Sequence, residues 1–133
     1  MGSRKRLSAE HRKQTKKQWV CVSLQNHPTS PRKMRLMADL IRDMNVDQVF
    51  GVLKYSKKEA SNALEKLLLT GLANWQWKNQ NKDIEDADLY IKTVTVDNAR
   101  TLKRLRPAPQ GRGHRIRKRF NHVIINIGSR KND

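Results

Sequence analysis

Between Arg100 and Arg119 the chain places nine Lys/Arg residues and no Asp or Glu. A run like this is usually a tail, but here it lies between two segments suited to strands. Asp88-Leu-Tyr-Ile-Lys-Thr-Val-Thr-Val-Asp97 precedes it and Phe120-Asn-His-Val-Ile-Ile-Asn-Ile127 follows it, both rich in β-branched and aromatic residues. Its centre, Arg106-Pro-Ala-Pro-Gln-Gly-Arg-Gly113, carries the Pro and Gly chemistry of a chain reversal. The pattern predicts a long, extended basic β-hairpin at about residues 97–119. With arms from about Asp97 to Gln110, each would span ~43 Å at ~3.3 Å per residue. An isolated two-stranded hairpin is marginal in water, and this one adds charge repulsion, so something polyanionic must surround it.

The remaining charge is just as unevenly placed. Residues 1–18 hold seven Lys/Arg against Glu10, and residues 19–99 hold eleven against ten Asp/Glu, within a total of +17. A near-neutral domain therefore carries two basic extensions: an arm over residues 1–18 and the hairpin. Charge kept for solubility needs no such segregation. Charge confined to extensions points to nucleic acid, because each neutralised phosphate releases counterions.

At 133 residues there is room for one domain, taken here as residues 19–133. The lone Cys21 excludes a disulfide framework within one chain and fits a reducing compartment. No apolar run approaches the ~20 residues that span a bilayer, and the N-terminus lacks the apolar stretch of a secretory signal. A cytoplasmic protein is expected.

Trp19-Val-Cys-Val-Ser-Leu24 reads as a short first strand. Ser30-Pro31 then reads as an N-cap with proline at the first helical position. Met34, Met37, Leu40, Ile41 and Met44 fall on one side of the helix that follows, which is expected to run to about Asp43. Asp47 is placed to cap a second helix, and Ser56 with Glu59 forms a capping box for a third. In that third helix Ala60, Ala63, Leu64, Leu67, Leu68, Gly71, Leu72 and Trp75 make a stripe whose small members permit close approach. In the second strand Leu89 and Ile91 stand in one phase and Val94 and Val96 in the other, which predicts either a bulge or a strand whose burial changes sides as it leaves the core. The fold class expected is α+β, with three helices packed on a small, mainly antiparallel three-stranded sheet.

No catalytic constellation is present. His11, His27, His114 and His122 are scattered, and one Cys supplies no zinc spacing. Asp83, Glu85, Asp86 and Asp88 read better as a solvated loop than as a metal cluster. Gly111-Arg-Gly113 neither follows a buried strand nor opens a helix, so it is turn chemistry and not a phosphate loop.

The cations differ in what they can be doing. Arg35 stands four before Asp39, and a helical ion pair is its plain reading. Arg32 and Lys33 lie at a helix start, where the dipole disfavours cations and an external anion explains them better. For Lys103, Arg104, Arg106, Arg112, Arg115, Arg117, Lys118 and Arg119 no acid lies nearby in sequence to pair with. Arg predominates among them, as suits bidentate phosphate contact. Phe120 is the only aromatic beside the run, which favours recognition of backbone and shape in folded RNA over base stacking.

With these residues in view, the chain resembles the bacterial-type large-subunit ribosomal protein twenty-two family (uL-twenty-two). The matching passages are Ser30-Pro-Arg-Lys-Met-Arg-Leu-Met-Ala-Asp-Leu-Ile-Arg42, Lys66-Leu-Leu-Leu-Thr-Gly-Leu-Ala-Asn74, Lys103-Arg-Leu-Arg-Pro-Ala-Pro-Gln-Gly-Arg112 and Ile116-Arg-Lys-Arg-Phe-Asn-His-Val-Ile. They are collinear and cover about residues 22–128. The resemblance implies a domain on the outer face of the large subunit, with a hairpin threading inward between segments of large-subunit (23S-type) rRNA. That hairpin would line the nascent-peptide exit tunnel beside the ribosomal protein uL-four. Early rRNA binding in assembly and a hairpin-dependent response to macrolides are also implied. By motif, Arg106, Pro107, Ala108, Pro109, Gln110, Gly111 and Arg112 would form the tip, with Lys103 and Arg104 near it. Arg32, Lys33 and Arg35 would meet rRNA from the domain. No cofactor, metal, membrane or homo-oligomer is expected. The family commonly has Pro-Arg-Ala where this chain has Pro107-Ala-Pro109, and a small residue where it has Trp75.

Three rivals remain. A DNA-bending architectural protein also uses basic β-arms with proline at the tip, but it needs a dimer interface, and the apolar stripes here are consumed by one small core. A helix-turn-helix regulator would need a basic exposed face on the second or third helix. An RNA-processing enzyme would need acids or histidines clustered at the basic surface.

Overall fold

The computed structural model describes residues 3–80, 83–84 and 87–130. The elements are α1 (Ser3–Gln18), β1 (Val20–His27), α2 (Pro31–Ile41), α3 (Val46–Tyr55), α4 (Glu59–Lys78), β2 (Leu89–Asn98), β3 (Leu102–Pro107), β4 (Gly113–Lys118) and β5 (Asn121–Ser129). The centre of the domain is β5. Val123, Ile125 and Ile127 are fully buried and alternate with half-buried His122, Ile124 and Asn126, the period-two pattern of a strand with one covered face. β1 and β2 flank it, both antiparallel, in the order β1-β5-β2. α2 packs on β2, α4 packs on β1 and β5, and α3 packs against α4, so the α+β class holds.

Of the two readings of the phase change in β2, the bulge is the one present. Ile91 pairs with Ile127 and Thr93 with Asn126, leaving Lys92 as the extra residue. It lets Leu89, Ile91, Val94 and Val96 all be buried although their spacing is out of phase. The stripe of α4 is likewise the core it promised, with Leu64 and Leu68 fully buried and Trp75 absorbed at 3% exposure. Ser61 joins it, donating its hydroxyl to the carbonyls of Ser56 and Lys58. At Gly71 a Cβ would stand 2.7 Å from Ile127 Cδ1 and 3.3 Å from Val22 Cγ2, so α4 sits so close to the sheet that any side chain there would force Ile127 to shift.

Several local expectations are corrected. Among the described residues there are four helices and not three, because the basic arm is itself helical as α1. Ser3–Gln18 contains neither Gly nor Pro and is rich in Lys, Arg and Gln, all good helix formers. α2 ends at Ile41 and not Asp43, which takes φ 61° in the turn that follows. Its buried face is Met34, Met37, Ala38 and Ile41, while Leu40 is 54% exposed, because the stripe facing β2 follows i, i+3, i+4, i+7. Ser30 occupies the N-cap position of α2 without making a side-chain cap bond. Asn45, not Asp47, is the N-cap of α3. Ser56 closes α3, and α4 starts after Lys58, so no capping box forms. Of the acidic loop, Glu85 and Asp86 lie outside the described residues. Among the described residues no three His, Cys, Asp or Glu side chains gather as metal ligands would, and no helix is long and apolar enough to cross a membrane.

Candidate nucleic-acid interface

The basic run folds as the two-stranded ribbon β3–β4, which leaves the sheet where β2 ends and β5 begins. The pairs run from Leu102 opposite Lys118 to Pro107 opposite Gly113. Residues paired across an antiparallel ribbon share a face, and neighbours along a strand alternate. One face therefore presents Lys103, Leu105, Arg115 and Arg117, and the other Leu102, Arg104, Arg106, His114, Ile116 and Lys118. All these residues are exposed. Leu105 reaches 72% exposure, so the ribbon holds no core of its own. Arg112 and Arg119, beyond the paired positions, are exposed as well. Among the described residues the ion pairs are Arg6–Glu10 and Arg42–Asp39, and neither touches the ribbon.

The tip is closed by the Ala108 N–H donating to the Arg112 carbonyl at 2.8 Å. Gln110 at φ 64° and Gly111 at φ 68° supply two successive left-handed residues, the backbone that matches the twist of a hairpin. Gly111 adopts this freely, whereas Gln110 does so at a cost of ~1–2 kcal/mol. The root is a joint. Ala99 N–H donates to the Phe120 carbonyl at 3.0 Å, and beyond it Arg100 and Thr101 face the single residue Arg119 before pairing resumes. That extra residue offsets the register of the ribbon from that of the sheet, and the two form separate ladders.

Three of the domain's cations, Arg32, Lys33 and Arg35, lie on the helix tied to the root. Asn121, fully buried, donates through Nδ2 to the carbonyl and hydroxyl of Thr29, each at 2.8 Å, tying the start of β5 to the turn before α2. Arg32 and Lys33 stand exposed on the first turn of α2, just past that turn. Arg35 is not paired with Asp39. It donates through Nε and Nη2 to the Val96 carbonyl (3.3 and 3.0 Å), and Asp39 pairs with Arg42 at 2.9 Å. Arg35 thus braces α2 against the strand that feeds the finger. Charge counting passed over Leu102, Leu105, His114 and Ile116; in His114-Arg-Ile-Arg117 the alternation with cations was the signal that such residues share the ribbon's faces, whereas Leu102 and Leu105 stand three apart and gave none.

Because the ribbon has neither core nor counter-charges, its amides in the isolated protein are expected to exchange far faster than those of β5. Hydrogen exchange by NMR checks this. Protection across residues 102–118 equal to that of β5 would contradict it.

The chain matches the family model described as ribosomal protein L22p/L17e over residues 22–127, which takes in most of β1, the helices α2 to α4, β2, the ribbon and most of β5. It is 58% identical over 132 residues to the large ribosomal subunit protein uL22 of Christiangramia forsetii, covering 99% of this chain and 98% of that one. The protein of the same name from Flavobacterium psychrophilum is also 58% identical, over 99% of this chain and 96% of its own. That of Bacteroides fragilis is 55% identical over all of this chain and 97% of its own. Family model and relatives coincide on the segment that builds sheet, helices and basic ribbon, and on this agreement the chain belongs to the ribosomal protein L22p/L17e family, whose members are structural components of the ribosome and not enzymes.

Proposed function

We propose that the protein is a structural constituent of the bacterial large ribosomal subunit, working in the cytoplasm. In this reading it binds large-subunit rRNA, supports subunit assembly, and lines the nascent-peptide exit tunnel with its finger. The observation that carries the proposal is the finger itself, a fully exposed, acid-free cationic ribbon anchored to a sealed core. A shape like that is stable only when phosphate surrounds it. Lys103, Arg104, Arg106, Arg112, Arg115, Arg117, Lys118 and Arg119 would neutralise rRNA phosphates along the ribbon. Residues 106–112 would stand at the tunnel wall beside uL-four and the passing nascent peptide. Arg32 and Lys33 would hold rRNA at the root, with Arg35 acting there mainly through its brace on Val96.

Deleting residues 103–112 separates the two parts. The core residues all lie outside this stretch, so the shortened protein is expected to fold and to enter subunits. The altered tunnel wall should change macrolide sensitivity or nascent-chain pausing. Quantitative analysis of purified subunits, with ribosome profiling, reads both. A shortened protein that folds but never enters subunits would show that the domain alone does not anchor it.

A further inference from the structure

α1 lies wholly before the segment that matches the family model. Its residues 3–14 are all exposed, and it has no acid in its first turn, where the helix dipole favours one. At ~100° per residue, Lys5, Arg6, Arg12 and Lys13 fall within about 120° of its circumference, with Ala9 at their centre. Lys16 and Lys17 follow four residues further on in the sequence. Arg4 alone stands on the other side, which otherwise carries Ser3, Leu7, Ser8, His11 and Gln14. A helix solvated on all sides gains nothing from gathering like charges, since such neighbours repel. Arg6 is paired with Glu10 at 3.4 Å at one edge of the face, yet remains 81% exposed. Arg12 donates to the Ser8 carbonyl and hydroxyl at 3.3 and 3.4 Å.

The helix is also aimed. Trp19 alone separates α1 from β1. Lys92, the bulged residue of β2, places Nζ 4.3 Å from the Trp19 ring centroid, and Lys78 at the end of α4 donates to the Trp19 carbonyl at 3.1 Å. A one-residue joint held from two elements sets where the helix leaves the domain.

We propose that α1 is a second RNA-binding element, independent of the finger, whose cationic face lies on the backbone of a double-helical RNA segment. This deepens the reading of the protein as an rRNA binder and rests on it. The cations form two rows on either side of Ala9, and the small Ala9 lets the helix approach closely. A-form RNA offers a wide, shallow minor groove bordered by two phosphate rows, on which a helix ~10–12 Å across can rest. Residues 3–18 contain no Phe, Tyr or Trp, so stacking on splayed single-stranded bases is not the mode.

The test uses the full chain against a 20-base-pair RNA duplex (about two turns), with a single-stranded RNA of equal length as competitor. The variant Lys5→Gln, Arg6→Gln, Arg12→Gln, Lys13→Gln keeps helix propensity while removing the face. It should bind the duplex at least tenfold more weakly, with a salt slope lower by up to ~0.9 for each phosphate no longer neutralised. Adding Leu7→Lys, Ser8→Lys, His11→Lys and Gln14→Lys to that variant restores the net charge on the opposite face and should not restore affinity. Circular dichroism of both variants confirms that the helix persists. Unchanged duplex binding in the first variant, full rescue by the second, or equal competition by the single strand would each overturn the proposal. Failure of the wild type to bind any folded RNA would instead sink the rRNA-binding reading itself.

Discussion

Replacing Lys103, Arg115 and Arg117 together by alanine is expected to weaken binding to large-subunit rRNA fragments about a hundredfold near ~0.15 M salt. The same change should flatten the salt dependence by up to ~0.9 in log–log slope per phosphate released, with the lower end expected for irregular RNA. These three cations share one face of the ribbon and have no acid to pair with among the described residues, so each is free to displace counterions from a phosphate. The loss should be similar for an unrelated folded RNA, because few aromatics or amides accompany the cations to read bases. Salt titrations of wild type, Arg117→Ala and the triple variant measure both quantities. A slope that stays unchanged while affinity for a single RNA collapses would mean that the finger reads bases, and the phosphate account would be wrong.

The second large effect is in the core. Gly71→Val should destabilise the domain by about 2–3 kcal/mol, the usual cost of overpacking a closed interior. The first added carbon already meets Ile127 Cδ1 at 2.7 Å, and Ile127 is fully buried with little room to turn aside. Gly71→Ala should cost less, since replacing a mid-helix glycine returns ~1 kcal/mol of helix propensity. Urea unfolding reads the difference as a shift in midpoint at unchanged slope. A valine variant as stable as wild type would mean that α4 does not lie this close to β1 and β5.

What could be read from the sequence was what leaves a period. The α4 stripe, the alternation in β5 and the phase change from Ile91 to Val94 each record which atoms leave water, and each is present as packing. The finger was legible for the opposite reason, since nine cations without an acid cannot be buried at all. Helix ends were not legible. Asn45 and Asp47 are both good caps, and the choice between them depends on where β2 holds the preceding turn: Ile91 bonds Met44 and Asp43 through both its backbone groups. α1 escaped because a helix polar on every side has no apolar period. The partner of Arg35 was hidden by distance, because the better acceptor, the Val96 carbonyl, is 61 residues away in the chain.

The place of β5 has a consequence for how the protein comes into being. Within the sheet β1 and β2 each pair with β5 and never with each other, so the sheet has no pair of strands to close until its middle strand, the last of the described elements, has been made. Synthesis proceeds from the N-terminus, and all four helices and the whole cationic finger emerge before the core acquires its centre. Pairings that distant along a chain also form slowly. A chain that stops at Phe120 would keep every cation of the finger and lack the strand on which the domain closes. If the finger binds rRNA as proposed, early termination would yield not a weaker form of this protein but a competitor for the same RNA.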